Sequence, residues 1–294
     1  MKQAILILAH KDFQQILRLS KRLITHFEIY IHFDAKFELT QEQKDTLLNT
    51  GIHFIQQYSV HWGAWSVCQA VLAVLHEALK DPEIGYFHFI SGQDWPVKSS
   101  EEIFNYYQAN SNIYMKYRSV VGVKETGEPI EWWQKYYFDY DRIPRQTLYG
   151  ILYHRLTLLK QTIKRTNKLK DLNISLSLYQ GSQWVDMPRD AAEYIVTYLQ
   201  KHPEVQKMLS TGFCSDEFMF QTLLCNSPLA NRLVNNNHRL IKLVKQHDSY
   251  PAILDESNYD EIISGDYHFV RKIDSTYSAT LIDMIERHCK QKEI

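Results

Sequence analysis

Residues 84–98 read Ile-Gly-Tyr-Phe-His-Phe-Ile-Ser-Gly-Gln-Asp-Trp-Pro-Val-Lys, an apolar, aromatic-rich run that breaks at Ser91-Gly92-Gln93-Asp94-Trp95-Pro96. Tyr86, Phe87, Phe89 and Ile90 have the composition of a strand covered on both faces, and Gly92 and Pro96 stop it from continuing. In open α/β sheets ligands bind beyond the carboxyl ends of the strands, which makes Ser91, Gln93 and Asp94 candidate site residues. A turn whose Asp94 caps a helix beginning near Ser99 accounts for the same residues equally well from this segment alone.

Upstream, the apolar run 4–9 predicts a central first strand ending at His10, and Asp12 is an N-cap for a helix that turns Phe13, Ile16, Leu17 and Leu23 inward. Residues 27–33 predict a second strand closing on Asp34, so the unit is β-α-β with a right-handed parallel crossover. Asp34 has the position of a carboxylate that hydrogen-bonds a nucleotide ribose. Ala9-His10-Lys11-Asp12 has no glycines, which excludes a G-x-G-x-x-G loop and a P-loop; a nucleotide would be held by base-edge and ribose contacts, with its diphosphate elsewhere. Residues 52–56 predict a short third strand, and His61-Trp62-Gly63-Ala64-Trp65 leads into a helix over 66–79. Ser99-Ser100-Glu101-Glu102 opens another with a good cap.

Downstream, the strand and helix alternation ends near residue 112, and 114–140 is expected to be a long aromatic excursion over the site, with Trp132-Trp133 and Tyr136-Tyr137-Phe138 suited to saccharide faces. Residues 142–170 carry eight basic residues (Arg142, Arg145, Arg155, Lys160, Lys164, Arg165, Lys168, Lys170) and no acidic one, interleaved with leucines. That pattern fits a basic amphipathic helix drawn to anionic lipid, and equally a solvated face on a packed helix. Gly181-Ser182-Gln183-Trp184 precedes a helix started at Pro188. Asp216 and Glu217 open an apolar helix continuing through Leu224, where either carboxylate can serve as a simple helix stabiliser.

The 294 residues are 45% apolar and 23% charged, enough for one large α/β domain. A formal charge of −1 gives no reason to expect nucleic acid. Cys68, Cys214, Cys225 and Cys289 show no C-x-x-C spacing, and no secretory or membrane-spanning run stands out, so the expected compartment is the cytoplasm.

Five segments add up to a resemblance: 91–98, His61-Trp62-Gly63, Gly181-Ser182-Gln183-Trp184, Ser215-Asp216-Glu217-Phe218 and Phe269-Val270-Arg271-Lys272-Ile273-Asp274. Taken in chain order they resemble the core 2 and I-branching β-1,6-N-acetylglucosaminyltransferases, a family related to peptide O-xylosyltransferases. The resemblance implies a GT-A fold, a Rossmann-like mixed central sheet flanked by helices. It implies a single catalytic domain over 1–294, with 1–112 as the nucleotide-sugar half and 113–294 as the acceptor and catalytic half. It implies an inverting reaction without a metal, from a UDP-sugar to a saccharide or lipid-linked saccharide. GlcNAc is the first expectation for the sugar and xylose the next, because 216–224 is also similar to the xylosyltransferase motif.

By the same resemblance Glu217 is the general base and Lys272, helped by Arg271, meets the diphosphate. Ser249 and Tyr250 stand near where a second diphosphate-binding arginine has no match. His10, Asp34, Trp62 and Asp94 fall to the nucleotide, and Gln93, Ser182, Trp184, Asp216 and Trp133 to the acceptor. Leu243 replaces a tryptophan that faces the acceptor, so a different acceptor is expected, in a bacterial-type enzyme of surface polysaccharide synthesis working at the inner face of a membrane. Two other readings stand beside this one: a metal-dependent transferase using Asp139 and Asp141 of a literal D-x-D, and a non-catalytic sugar-nucleotide-binding module.

Overall fold

Alternation of side chains along the first strand decides the layering. In the computed structural model, which describes residues 1–121, 133–143 and 147–292, β1 (Lys2–Ala9) sends Ile5 and Ile7 into one core layer and Ala4 and Leu6 into the other. Trp132 and Arg145 of the sequence expectations lie outside the described residues. The chain continues through α1 (Phe13–Leu23), β2 (Glu28–Phe33), α2 (Gln41–Asn49), β3 (His53–Ile55), α3 (Trp65–Leu79) and β4 (Ile84–Ser91). Asp12 caps α1 in a left-handed conformation (φ 54°) that Asp tolerates, accepting from Gln15 N at 3.1 Å. These strands pair in parallel in the order β3-β2-β1-β4.

Next come β5 (Asp94–Pro96), α4 (Ser100–Tyr107), β6 (Ile113–Ser119), α5 (Leu148–Ile163), α6 (Lys168–Asp171), β7 (Tyr179–Pro188), α7 (Arg189–Lys201) and α8 (Pro203–Ser210). A 3-10 turn, Ser215–Glu217, leads to α9 (Met219–Cys225), followed by β8 (Leu233–Val234), β9 (Arg239–Ile241), α10 (Tyr259–Ser264), β10 (Phe269–Arg271) and α11 (Ala279–Lys292). The main sheet is mixed and seven-stranded, β3-β2-β1-β4-β7-β6-β8, with β7 antiparallel to both neighbours. α1 and α11 cover one face through Ile16, Leu19, Leu281 and Ile285. α3, α7 and α9 cover the other through Val71, Leu75, Ile195 and Phe220. A second sheet of three short strands, β5-β10-β9, stands at the carboxyl end of β4.

Three expectations need correction. The aromatic excursion does not begin at 114, because β6 runs to Ser119 as a sheet strand; its Tyr-Met-Lys-Tyr-Arg content hides the alternation of a strand with one polar face. Asp216 and Glu217 do not open an α-helix: they sit in the 3-10 turn before α9, and Ser215 Oγ donates to Leu209 O (2.5 Å) instead of capping. Lys168 is not part of a basic surface. It is buried, its Nζ donates to Met208 O (2.9 Å) and Thr211 O (3.2 Å), and burial pushes its pKa down to about 7.

One buried polar cluster joins the two sheets. Arg239 at the start of β9 makes a two-pronged pair with Asp186 of β7 (both 2.7 Å) and donates to Phe89 O (3.0 Å). His88 (3.0 Å) and Tyr107 (3.1 Å) complete the shell of Asp186. Burial pushes the Asp186 carboxyl up, but the Arg239 guanidinium and the His88 hydrogen bond outweigh it and hold the group well below the usual carboxylate range. Breaking one partner of such a pair leaves a buried charge. Asp186→Asn or Arg239→Met is therefore expected to lower stability by about 3–5 kcal/mol in chemical denaturation, while the double variant recovers part of the loss. Equal and additive losses would show that the pair does not act as a unit.

Candidate active site

Beyond the carboxyl edge of the main sheet lies a cleft of about 710 Å³, within the range of pockets that hold drug-sized ligands. Several segments far apart in sequence wall it, and four of them carry residues expected in a site. The His61-Trp62-Gly63 loop is joined to the turn that carries Asp216 and Glu217 by a hydrogen bond from Cys214 N to Gly63 O (2.9 Å). Gly63 is required there: its φ is 73°, and a Cβ would lie 2.5 Å from the Phe213 ring. Trp62 is 71% exposed at the cleft lip, its ring edge-on to Phe213. The turn itself brings Asp216 and Glu217 to the wall.

The third segment is the first half of β7. A Cβ on Gly181 would meet Lys116 O at 1.8 Å, so only glycine lets β7 approach β6 at the bulge that turns 181–184 toward the cleft. Gln221 of α9 fastens this wall by donating to Ser182 O (2.7 Å). Trp184 is nearly buried, and the guanidinium of Arg271, the fourth segment, lies over its ring at 4.9 Å. Arg271 also donates to Ser91 Oγ and faces Asp94 Oδ1 at 3.5 Å. Asp94 in turn accepts from Ser91 N. The Ser91-Gly92-Gln93-Asp94 turn thus aims Arg271 at the cleft.

Of the residues expected in a site, the cleft brings together Trp62, Ser182, Trp184, Asp216, Glu217 and Arg271. Lys272 lies beyond Arg271, where its Nζ donates to Ser249 Oγ (3.3 Å) and its backbone is bonded to Ala252 O and Leu254 N. Partial burial first, then Arg271 and Lys11, lower the Lys272 pKa from its ordinary value, and Asp274 offsets this only in part. Desolvation, Lys11 and Arg271 press His10 toward its neutral form in the same corner. Lys11 pairs with Asp274 at 2.9 Å. Tyr250 is exposed beside this cluster in sequence but does not line the cleft.

Four expected residues sit differently. Asp94 and Gln93 are buried and engaged within the protein, Asp94 as above and Gln93 through Ile273 O (3.5 Å), so they support the site from behind. Asp34 accepts from Lys36 N (2.9 Å) and Val60 N (3.3 Å), stapling the loop after β2. Trp133 is buried against Phe218 at 5.3 Å, a core residue behind the 215–217 turn that does not line the cleft. Lys116 and Arg118 were not anticipated. They line the cleft from β6, and their i, i+2 spacing on one strand face was the available signal. Asp139 accepts from Tyr153 (2.8 Å) and Asp141 faces His61 (3.6 Å), both outside the cleft. Among the described residues no group of three His, Cys, Asp or Glu stands close enough to hold a metal.

The family model for the Core-2/I-Branching enzyme matches residues 4–262. The chain belongs to the Core-2/I-Branching enzyme family. The family is one of glycosyltransferases. Among solved structures it is similar to the apo form of the bifunctional glycosyltransferase WbbM, at 10% identity and TM-score 0.42, covering 94% of this chain and 47% of that one. It is also similar to a glycosyltransferase involved in glycosylation of the major capsid of PBCV-1 (11% identity, TM-score 0.36, 97% and 99% covered). A third is S. aureus TarS 1–349 in complex with UDP (15% identity, TM-score 0.28, 46% and 40% covered). This chain therefore spans about half the length of WbbM. No curated protein matches it.

Asp216 gives this family member a measurable pH signature. Burial pushes its carboxyl up to about 6, and its Oδ1 is shielded from solvent with no hydrogen-bond partner. The unfolded chain ionises this group first, so rising pH lowers wild-type stability relative to Asp216→Asn from about pH 4 until about pH 6, by about 3 kcal/mol at most. Unfolding free energies of both proteins across that interval check it; a flat difference would mean that the carboxylate is paired.

Proposed function

We propose that the protein is an inverting, metal-independent glycosyltransferase that moves GlcNAc, or failing that xylose, from a UDP-sugar to a saccharide hydroxyl in surface polysaccharide synthesis. The observation that carries the reading is one cleft with a carboxylate, Glu217, on one wall and Arg271 on another, with Lys272 and Lys11 clustered behind Arg271. Direct displacement needs a base for the acceptor proton and positive charge for the departing diphosphate. In this scheme Glu217 takes the hydroxyl proton as the acceptor oxygen bonds to the anomeric carbon. The bond from that carbon to the diphosphate oxygen breaks, and its electron pair leaves with the diphosphate beside Arg271 and Lys272. Attack opposite the leaving group inverts the anomeric centre.

Burial, Arg271 and Lys11 lower the Lys272 pKa, and an incoming diphosphate would offset both the desolvation and the repulsion, which supports this role. Trp184 and Ser182 line the same cleft as the base and Arg271, and Asp216 stands next to the base on its wall. The absence of a tryptophan at Leu243, which lines the same cleft, favours an acceptor unlike that of the animal enzymes.

Thermal shifts with UDP-GlcNAc, UDP-xylose, UDP-glucose and UDP-galactose, each in EDTA and in manganese, test the donor and the metal. A donor at about 100 times its Kd is expected to add roughly 2.7 kcal/mol to apparent stability, unchanged by EDTA. Glu217→Gln is expected to keep that shift and lose about 10²–10⁴ in kcat, whereas Lys272→Ala loses both shift and turnover. A shift that needs manganese would transfer the diphosphate to Asp139 and Asp141, and no shift with any nucleotide would favour a non-catalytic module.

A further inference from the structure

Helix α5 is folded inside out. The residues it buries are Gly150, His154 and Gln161, whereas Leu148 (88% exposed), Leu152 (59%), Leu156 (48%), Leu159 (55%) and Ile163 (73%) face outward. At 3.6 residues per turn these five fall within about 80° of arc along roughly 22 Å of helix. Scattered exposed leucines need no explanation, but a continuous helical stripe of five marks a surface that another body covers.

Charge identifies that body. Arg155 lies on one flank of the stripe and Lys160 and Lys164 on the other, all exposed, with Arg142, Arg165 and Lys170 exposed nearby. No carboxylate occurs from 142 to 170. The bordering Asp139, Asp141 and Asp171 are engaged by Tyr153, His61 and Tyr136. A second copy of this chain fits poorly, because a two-fold contact would press the same cationic rim against itself. An anionic lipid surface satisfies both features, taking the apolar stripe at the acyl boundary and the cations at the headgroups. No helix among the described residues is long and apolar enough to cross a membrane, so α5 would lie along the surface.

We propose that α5 docks the protein on an anionic bilayer. The helix is coupled to the cleft by a chain of edge-to-face rings: His154 against Tyr140 (4.2 Å), Tyr140 against Phe213 (5.5 Å), and Phe213 against Trp62 at the cleft lip (5.5 Å). Docking therefore holds the cleft near the lipid surface. Granted the sugar-transfer reading of the cleft, the class of acceptor is a saccharide carried on lipid.

The test is flotation of the full chain with vesicles of phosphatidylcholine alone and of phosphatidylcholine with phosphatidylglycerol in equal parts. The protein is expected to float with the anionic vesicles, not the neutral ones, and to be released by salt. Leu152→Gln with Leu156→Gln and Leu159→Gln should weaken partition at least about a hundredfold. Lys160→Glu with Lys164→Glu should weaken it at least about thirtyfold. Both variants change exposed residues only, and an unaltered melting temperature shows that they fold. No flotation of the wild type, or flotation indifferent to both variants, overturns the proposal. So does a wild-type dimer that the leucine variant dissolves, since a second copy would then cover the stripe. Flotation requires no donor, so a missing UDP-sugar thermal shift counts against the cleft reading alone.

Discussion

The buried pair of Asp186 and Arg239 fixes the relation between the two sheets, and with it the site. Asp186 belongs to the central sheet and Arg239 begins β9, which pairs with β10, the strand that ends in Arg271. Strand β10 is held from its other edge by β5, the continuation of the turn after β4. The cations therefore cannot move relative to the Glu217 wall without breaking a fully desolvated, hydrogen-bonded charge pair. A cleft assembled from several distant segments needs a constraint of this kind, because positioning errors of an ångström cost orders of magnitude in a reaction that depends on geometry.

Around that constraint each wall has its own local cause. Gly63 and Gly181 are close-approach positions, Gln221 ties β7 to α9, and the Ser91-Asp94 turn holds the guanidinium of Arg271 over Trp184. Polar residues behind the cleft thus spend their hydrogen bonds on orientation. Asp216 is different, for its inner oxygen bonds nothing in the protein. A group kept desolvated at a stability cost is a functional candidate on physical grounds.

Much of the first half was legible because its signals are local. The Asp12 cap, the apolar run of β1 and the Gly and Pro stops after β4 each specify their own structure, and α1 and β4 occur where the sequence predicts them. The antiparallel insertion of β7 and the small sheet were not legible, since pairing of strands as distant as Tyr86 with Pro188 and Asp94 with Arg271 leaves no periodic trace. Glu217 and Arg271 were recognisable by motif, but only the fold brings them to one cleft. Trp133 and Gln93 illustrate the converse: residue types suited to binding are buried here, in core and support positions that residue type alone does not reveal. In α5 the pattern revealed a stripe but not its direction. Periodicity defines a face, while packing of His154 and Gln161 against 136–143 decided which face turned inward.

The central claim is that protein cations, not a metal, receive the diphosphate opposite Glu217. A crystal structure with UDP bound in the presence of manganese tests it most directly. The account predicts diphosphate oxygens within hydrogen-bond distance of Arg271 and Lys272, no metal density beside them, and the sugar-accepting space open toward Glu217. Manganese bridging the diphosphate to Asp139 and Asp141, with Lys272 still on Ser249, would contradict it.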